Sequence, residues 1–239
     1  MKQADLIDHF DLNTATRQEG GFTEILFQMR EKFGFDHIAY AGVNPVKGTT
    51  HGHMTYDESW ATHYVEKGYY RIDPTLTEAR RSITPVDWGR LEHTRNFKTV
   101  FNDAHDFNIS NTGLTIPVHG PYGDIGGLSL TSNLPASEFK KLRNETISDL
   151  QSMAVYFHDL IIRSDPLSKI LNQPNLSARE TEILQWIAAG KTQQDIGDIL
   201  SISHRTVEVH LRSARTKLAA LTTPQAIGRA ISLGLVYPE

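Results

Sequence analysis

The residues best suited to specific chemistry lie near the end of the chain. The run SHRTVEVHLRSARTK over residues 203–217 carries four basic side chains and one acid. At roughly 100° per residue, a helix through it puts Val207, Leu211, Ala214 and Leu218 on one face and Arg205, Glu208, Val209, Arg212 and Thr216 on the other. The second face has what reading a DNA duplex demands. Arg205 and Arg212 are planar, multi-donor groups that can grip guanine edges or phosphates. Val209 suits a thymine methyl better than water, and Glu208 can accept from a cytosine amino group or merely pair with a neighbouring arginine. Ser203, Thr206 and Lys217 are placed for phosphate contacts, with Thr192 upstream as a further candidate. A charged helix face is often only solvated, so the surrounding elements must decide.

Enzymatic chemistry has less to stand on. The 239 residues contain no cysteine, which removes disulfides, thiolate zinc sites, iron–sulfur clusters and cysteine nucleophiles together. His51-Gly52-His53 begins like the H-x-H-x-D-H pattern of metal-dependent lactonases, but Thr55 and Tyr56 stand where Asp and His should follow. Both histidines therefore read as exposed residues of a strand. No G-x-S-x-G nucleophile turn occurs. The expectation is a protein that is not an enzyme, with no catalytic residue, metal or cofactor.

Composition fits a folded, soluble protein: 39% of residues are hydrophobic and 22% charged. No apolar run approaches the roughly 18–20 residues that cross a bilayer, and Met1–Leu6 is too polar for an export signal. A cytoplasmic protein without membrane contact is expected. The formal charge of −4 is uneven, with seven basic and six acidic residues in 174–239 against 17 and 22 in the remainder. Two prolines and several turn formers mark 164–175 as a linker between a domain over 1–163 and another over 176–239.

In the first domain, Phe22, Ile25, Leu26, Met29 and Phe33 follow helical spacing up to Gly34. A strand is expected over 35–43, and two more at Gly113–His119 and Ile125–Thr131, joined by the turn Gly120–Asp124. A long amphipathic helix follows from Glu138 to Arg163. Helices around an antiparallel sheet give an α+β fold. The second domain reads as four helices. Ser177 and Glu180 form a capping box before Ile183, Leu184, Ile187 and Ala188, and Gly190 ends that helix. Thr192 precedes a short helix with Ile196, Ile199 and Leu200 inward. Ser201-Ile202-Ser203 turns into the basic helix, and Thr223-Pro224 opens the last one.

The stretch LSARETEILQWIAAGKTQQDIGDILSISHRTVEVHLRSARTKL, followed by PQAIGRAISLGL, resembles the helix-turn-helix DNA-binding domain of LuxR-type transcription factors. It carries that family's Glu180, Leu184, Gly190, Thr206-Val207, His210 and Lys217, and departs from it at Gly197, where alanine is usual, and at Ser213, where asparagine is common.

The front of the chain is similar to the acyl-homoserine-lactone (autoinducer) binding domain of the same family, close to its LasR-like branch. The resemblance rests on Tyr56-Asp57-Glu58-Ser59-Trp60, Tyr64, Gly68-Tyr69, Asp73-Pro74-Thr75, Pro85, Trp88 and GLTIPVHGPYGDIGGLSL from Gly113 to Leu130. It implies an α-β-α sandwich that encloses the lactone. Trp60 would donate to the lactone carbonyl, Asp73 would accept from the amide N–H, and Tyr56 and Ser129 would meet the amide carbonyl. Tyr64, Tyr69 and Trp88 would wall the pocket, with Thr75 and Thr115 near the head. Alanine at 61 replaces an arginine that this branch often carries. The resemblance further implies a homodimer on an inverted-repeat DNA site, with RNA polymerase as a further partner. A regulator of the same fold answering another small molecule, or none, is the alternative.

Overall fold

The structure, a computed structural model, describes residues 20–44, 49–120, 123–164 and 174–237. The expected linker lies, for residues 165–173, outside the described residues, as do 1–19 with the Met1–Leu6 segment and the two central turn residues 121–122. The chain forms two compact units with the main division after Ser164.

In the first unit α1 (Gly21–Phe33) buries Ile25, Leu26, Met29 and Phe33 and stops at Gly34, whose φ of 75° is left-handed. Strands β1 (His37–Asn44) and β2 (Thr49–Met54) lead to α2 (Glu58–Glu66) and α3 (Pro74–Ala79). After the two-residue β3 (Val86–Asp87) and α4 (Arg95–Asp106) come β4 (Gly113–His119), β5 (Ile125–Thr131) and α5 (Ala136–Ser164). The hairpin strands fall where the sequence places them, and the long helix extends two residues earlier and one later than expected.

The sheet order is β2-β1-β5-β4-β3. β1 with β5, β5 with β4 and β4 with β3 are antiparallel, in a register that sets Thr115 opposite Ser129 and Ala41 opposite Gly127. Side chains alternate across the pleat. Leu114, Ile116, Val118, Leu128 and Leu130 therefore share one core with α1 and with Leu150, Met153 and Phe157 of α5. The intervening Thr115 and Ser129 face the opposite side. A second cluster there joins Trp60 of α2 and Trp88 to Phe97, Val100, Phe101 and Ala104 of α4. The α-β-α layering is thus built from two apolar clusters on the two faces of one sheet. Gly113 allows it locally, because a Cβ there would stand 2.6 Å from the Trp88 ring.

The expectation of two exposed histidines in β2 is corrected. His51 and His53 are both half-buried. The His53 ring packs 5.1 Å from that of Phe22 and 6.3 Å from Phe157, an environment whose desolvation lowers its pKa.

The second unit has α6 (Ala178–Ala188), α7 (Gln193–Leu200), α8 (His204–Lys217) and α9 (Thr223–Ser232). Ser177, Thr192, Ser203 and Thr222 cap their N-termini, the first two as capping boxes. Ile183, Leu184, Ile196, Val207, Leu211, Ala214 and Leu218 are buried together. Ile199, expected inward, is 46% exposed. The buried arc of α7 runs through Ile196 and Gly197, turning Ile199 away from the core. Gly197 is there because α7 and the following turn touch: an added Cβ would meet the Ile202 carbonyl oxygen at 2.9 Å. An alanine at 197 would therefore not simply recover the helix propensity, worth about 0.5–1 kcal/mol, that a glycine gives up.

Phe157→Ala should remove about 3–5 kcal/mol of stability through the cavity it leaves, whereas Ile199→Ser should stay within about 0.5 kcal/mol. Urea denaturation of the full chain measures both.

Candidate functional site

Three elements bring the polar residues of the first unit to one place. Asp73 is the N-cap of α3, and Pro74 opens that helix with the backbone angle it needs. Asp73 Oδ1 accepts from the Thr75 backbone N–H at 2.8 Å and from the Thr75 hydroxyl at 2.7 Å, while Oδ2 accepts from the Tyr64 hydroxyl at 2.9 Å. Burial raises the Asp73 pKa, and these hydrogen bonds work against it. The same buried pair pushes the Tyr64 hydroxyl pKa well up. From the sheet, Trp88 Nε1–H donates to Thr115 Oγ1 at 2.9 Å, and Thr115 Oγ1 lies 2.9 Å from Ser129 Oγ. Tyr56, stacked on His37 at 4.6 Å, shares a 3.1 Å hydrogen bond with Thr131 Oγ1.

Between the sheet and α2–α4 lies a cavity of about 120 Å³. Tyr56, Trp60, Tyr64, Asp73, Thr75, Trp88 and Ser129 all line it. Among the described residues the indole N–H of Trp60 has no hydrogen-bond partner, although the side chain is buried at 5% exposure. Much of the remaining wall is apolar, with Ala39, Leu76, Val100, Phe101, Ala104 and Ile109 among its residues. A molecule seated here would meet the Trp60 donor, one buried carboxylate and several hydroxyls at fixed points, with hydrocarbon between them.

Two expected lining residues stand elsewhere. Tyr69 packs behind Trp60, and its hydroxyl donates to Asp103, which also meets His63 Nε2 at 2.9 Å. Its neighbour Tyr70 lines the cavity instead, because consecutive residues of a one-turn helix point in different directions. Thr115 lies behind Ser129, joined to it and to Trp88, and does not reach the cavity wall. The contribution of α4 was missed by sequence reasoning. Its signal is nonetheless there: Thr94 as an N-cap, then Phe97, Val100, Phe101 and Ala104 at i, i+3, i+4 and i+7.

In the second unit, α7, the Ser201 turn at φ 52° and α8 form a helix-turn-helix. Arg205, Glu208, Val209 and Arg212 of α8 are exposed, Val209 by 56%. Of the two roles open to Glu208, pairing is the one seen: Arg212 donates to it at 3.2 Å, a surface contact weak enough to exchange for DNA. Ser203 caps α8 and shares a 2.8 Å hydrogen bond with Thr206, and Thr192 caps α7 at an exposed position. Lys217 is differently engaged. Its ammonium donates to Glu180 at 2.8 Å, so its placement is set by an ion pair within the unit.

Comparison with known proteins matches each unit to a family. Residues 18–161 match the autoinducer-binding domain family, and 174–230 match the luxR family of bacterial regulatory proteins. The chain belongs to the LuxR family. It is a transcriptional regulator, with a signal-binding unit and a helix-turn-helix unit, and not an enzyme. Among relatives of this LuxR-type chain, the transcriptional activator protein RaiR of Rhizobium etli is 32% identical over 80% of this chain and 81% of its own length. The transcriptional activator protein SolR of Ralstonia nicotianae is 31% identical over 94% and 95%. The crystal structure of Escherichia coli SdiA shares the fold with a TM-score of 0.67, at 23% identity over 94% of this chain and 95% of that one.

Glu180 ties this LuxR-type unit together. It is 4% exposed, and besides Lys217 it accepts from the Ser213 hydroxyl at 2.7 Å and the Ser177 backbone N–H at 2.7 Å. The Ser213 hydroxyl is thus occupied in joining α8 to α6. Burial alone would raise the Glu180 pKa, but the hydrogen bonds from Lys217, Ser213 and Ser177 outweigh it and hold the carboxyl at about 2. A folded-state pKa below the unfolded value means stability present above the ordinary 4.5 and lost as pH falls toward 2. Glu180→Gln should therefore flatten the stability of the full chain across that window. At pH 7 it should cost about 1–3 kcal/mol, and hydrogen exchange of α6 and α8 amides in the full chain would report both.

Proposed function

We propose that the chain is a quorum-sensing regulator that binds an acyl-homoserine lactone in its first unit and, as a homodimer, an inverted-repeat operator with its second. The observation that carries this reading is the mixed wall of one cavity: the unpaired Trp60 indole N–H, the buried Asp73 carboxylate and the Ser129 and Tyr56 hydroxyls amid apolar side chains. An acyl-homoserine lactone is the complement of that wall. Its lactone carbonyl would take the donor of Trp60, its amide N–H the acceptor of Asp73, and its amide carbonyl a hydroxyl of Tyr56 or Ser129. Thr75, Tyr64 and Trp88 hold those groups or complete the wall, and Thr115 orients Ser129 from behind.

Burial of the ligand would favour the folded state by about 2.7 kcal/mol at a concentration one hundred times its Kd. Dimerisation is assigned to α5, whose Val155 and Tyr156 are 55% and 37% exposed beside the buried face that packs on the sheet. A two-fold pair would set two copies of α8 in successive major grooves about 34 Å apart. Arg205, Arg212, Val209 and Glu208 would then meet base edges, and Ser203, Thr206, Thr192 and Lys217 the phosphates. Activation through RNA polymerase and a cytoplasmic location complete the proposal. Among the described residues no helix is long and apolar enough to cross a membrane.

The direct test is mass spectrometry of what co-purifies with the full chain after expression with a lactone panel. A co-purified lactone supports the reading, and a different metabolite or none under every condition overturns it. Asp73→Asn keeps an N-cap side chain but turns one acceptor into a donor. It should weaken the ligand response on the order of ten- to a hundred-fold, as loss of a charge-assisted hydrogen bond would, and an unchanged reporter dose-response would refute the head-group assignment. Arg212→Ala should abolish operator binding in gel-shift assays while soluble yield with ligand stays normal.

A further inference from the structure

We infer that the signal carries a long acyl chain, of about ten to fourteen carbons, whose far half leaves the cavity along an open groove on the sheet. This rests on the lactone reading above and concerns the tail only. The groove has a volume of about 700 Å³ and adjoins the cavity, with Ala41, Met54, Tyr64, Tyr70 and Leu76 bordering both. Its floor is made by the ends of β1 and β5. On the face that carries Ser129, the floor descends through Ala39 and Ala41 on one strand and Gly127 on the other, and reaches Val43 and Ile125 at the rim. Small residues at the neck leave a trough where larger ones would close the wall.

Gly127 matters most there. A Cβ on it would lie 3.2 Å from Thr115 Cγ2 and 3.9 Å from Ala79 Cβ, so any larger side chain would fill the gap between sheet and α3. The outer side of the groove leaves Val65 60% and Tyr70 43% exposed, apolar surface that an alkyl chain would cover. At the rim stand Arg71, whose guanidinium lies 5.3 Å over the Tyr70 ring, and Arg80. Their aliphatic stems can lie over a hydrocarbon tail while their charges stay in water.

Length follows from geometry. From Ser129 to Ile125 is four residues of β5, or about 13 Å at the rise of an antiparallel strand. An extended alkyl chain advances about 1.3 Å per carbon, given C–C bonds of about 1.5 Å. Roughly ten carbons therefore run from the amide to the rim, and two or three more remain in contact with Val43 and the arginine stems.

The experiment titrates the full chain with homoserine lactones bearing hexanoyl, octanoyl, decanoyl, dodecanoyl and tetradecanoyl chains, reading half-maximal concentration for ligand-dependent soluble yield and reporter output. Each buried methylene is worth up to about fourfold in affinity, and half of that where one side faces solvent. The half-maximal concentration should fall at least fifty-fold between hexanoyl and dodecanoyl. An optimum at six or eight carbons, with longer chains excluded, overturns the groove assignment while leaving the head-group reading intact. No response at any length overturns the head-group reading itself. Gly127→Val, and independently Ala41→Val, should reduce the preference for dodecanoyl over hexanoyl at least tenfold. An unchanged preference in both soluble variants refutes the path through the neck.

Discussion

Everything in the first unit depends on the two-residue alternation of β4 and β5 and on the register that pairs them. With Thr115 opposite Ser129 and Leu114 opposite Leu130, one face of the hairpin is aliphatic and the other carries hydroxyls. The aliphatic face closes a core with α1 and α5 in which Leu114, Leu128 and Leu130 are fully buried. The hydroxyl face would have nothing to satisfy it in a dry core. It receives the Trp88 N–H at Thr115 and opens Ser129 to a cavity. A slip of one residue would exchange the faces, placing leucines against the cavity and hydroxyls against Phe157. The core that stabilises this unit and the chemistry of its cavity are therefore one decision about register, and neither can be altered alone.

Two buried carboxylates show how the same residue type serves opposite ends. Glu180 is surrounded by its own partners: a lysine and a serine of α8 and the backbone N–H that precedes α6 converge on it, and its pKa falls. The donors around Asp73 are all uncharged, Thr75 and Tyr64, and its pKa rises. A carboxylate matched by an ammonium is complete and holds helices together. One lacking a cation is buried at a cost that a further donor would offset. The direction of the shift thus follows the partners: one acid ties the second unit together, and the other, at the cavity of the first, has room for a further donor.

The second unit was the more legible in sequence because its signals are local. Capping residues lie three positions from the amides they satisfy, and the apolar positions of α8 repeat within one helix. Ile199 misled because an eight-residue helix with three apolar candidates does not fix which way it rolls; contact between Gly197 and the Ile202 turn does, and that is tertiary. The Lys217–Glu180 ion pair is invisible in the sequence for the same reason, since the two residues lie 37 positions apart. In the first unit the residue types of the cavity were visible only through resemblance. Aromatics at 56, 60, 64, 69 and 88 look alike as core, and a tight turn sends Tyr69 inward to Asp103 while its neighbour Tyr70 borders the cavity. The tail groove left no motif at all. It arises from small residues on two strands that meet only through pairing.

The division of apolar clusters also says where a bound signal would act. The aliphatic core between the sheet, α1 and α5 does not include the cavity-lining Trp60, Phe101 or Val100. The opposite layer is different: α2 and α4 pack around Trp88 largely through aromatic rings, Asp73 at the start of α3 is bonded to Tyr64 of α2, and Trp88 is bonded to Thr115 of the sheet, all around the cavity itself. A ligand filling that space would add its contacts to this layer and leave the other nearly unchanged. Stabilisation by mass action would then be concentrated in α2–α4. Signal dependence of the first unit would then be a property of one layer, passed to the other by the sheet that both layers share.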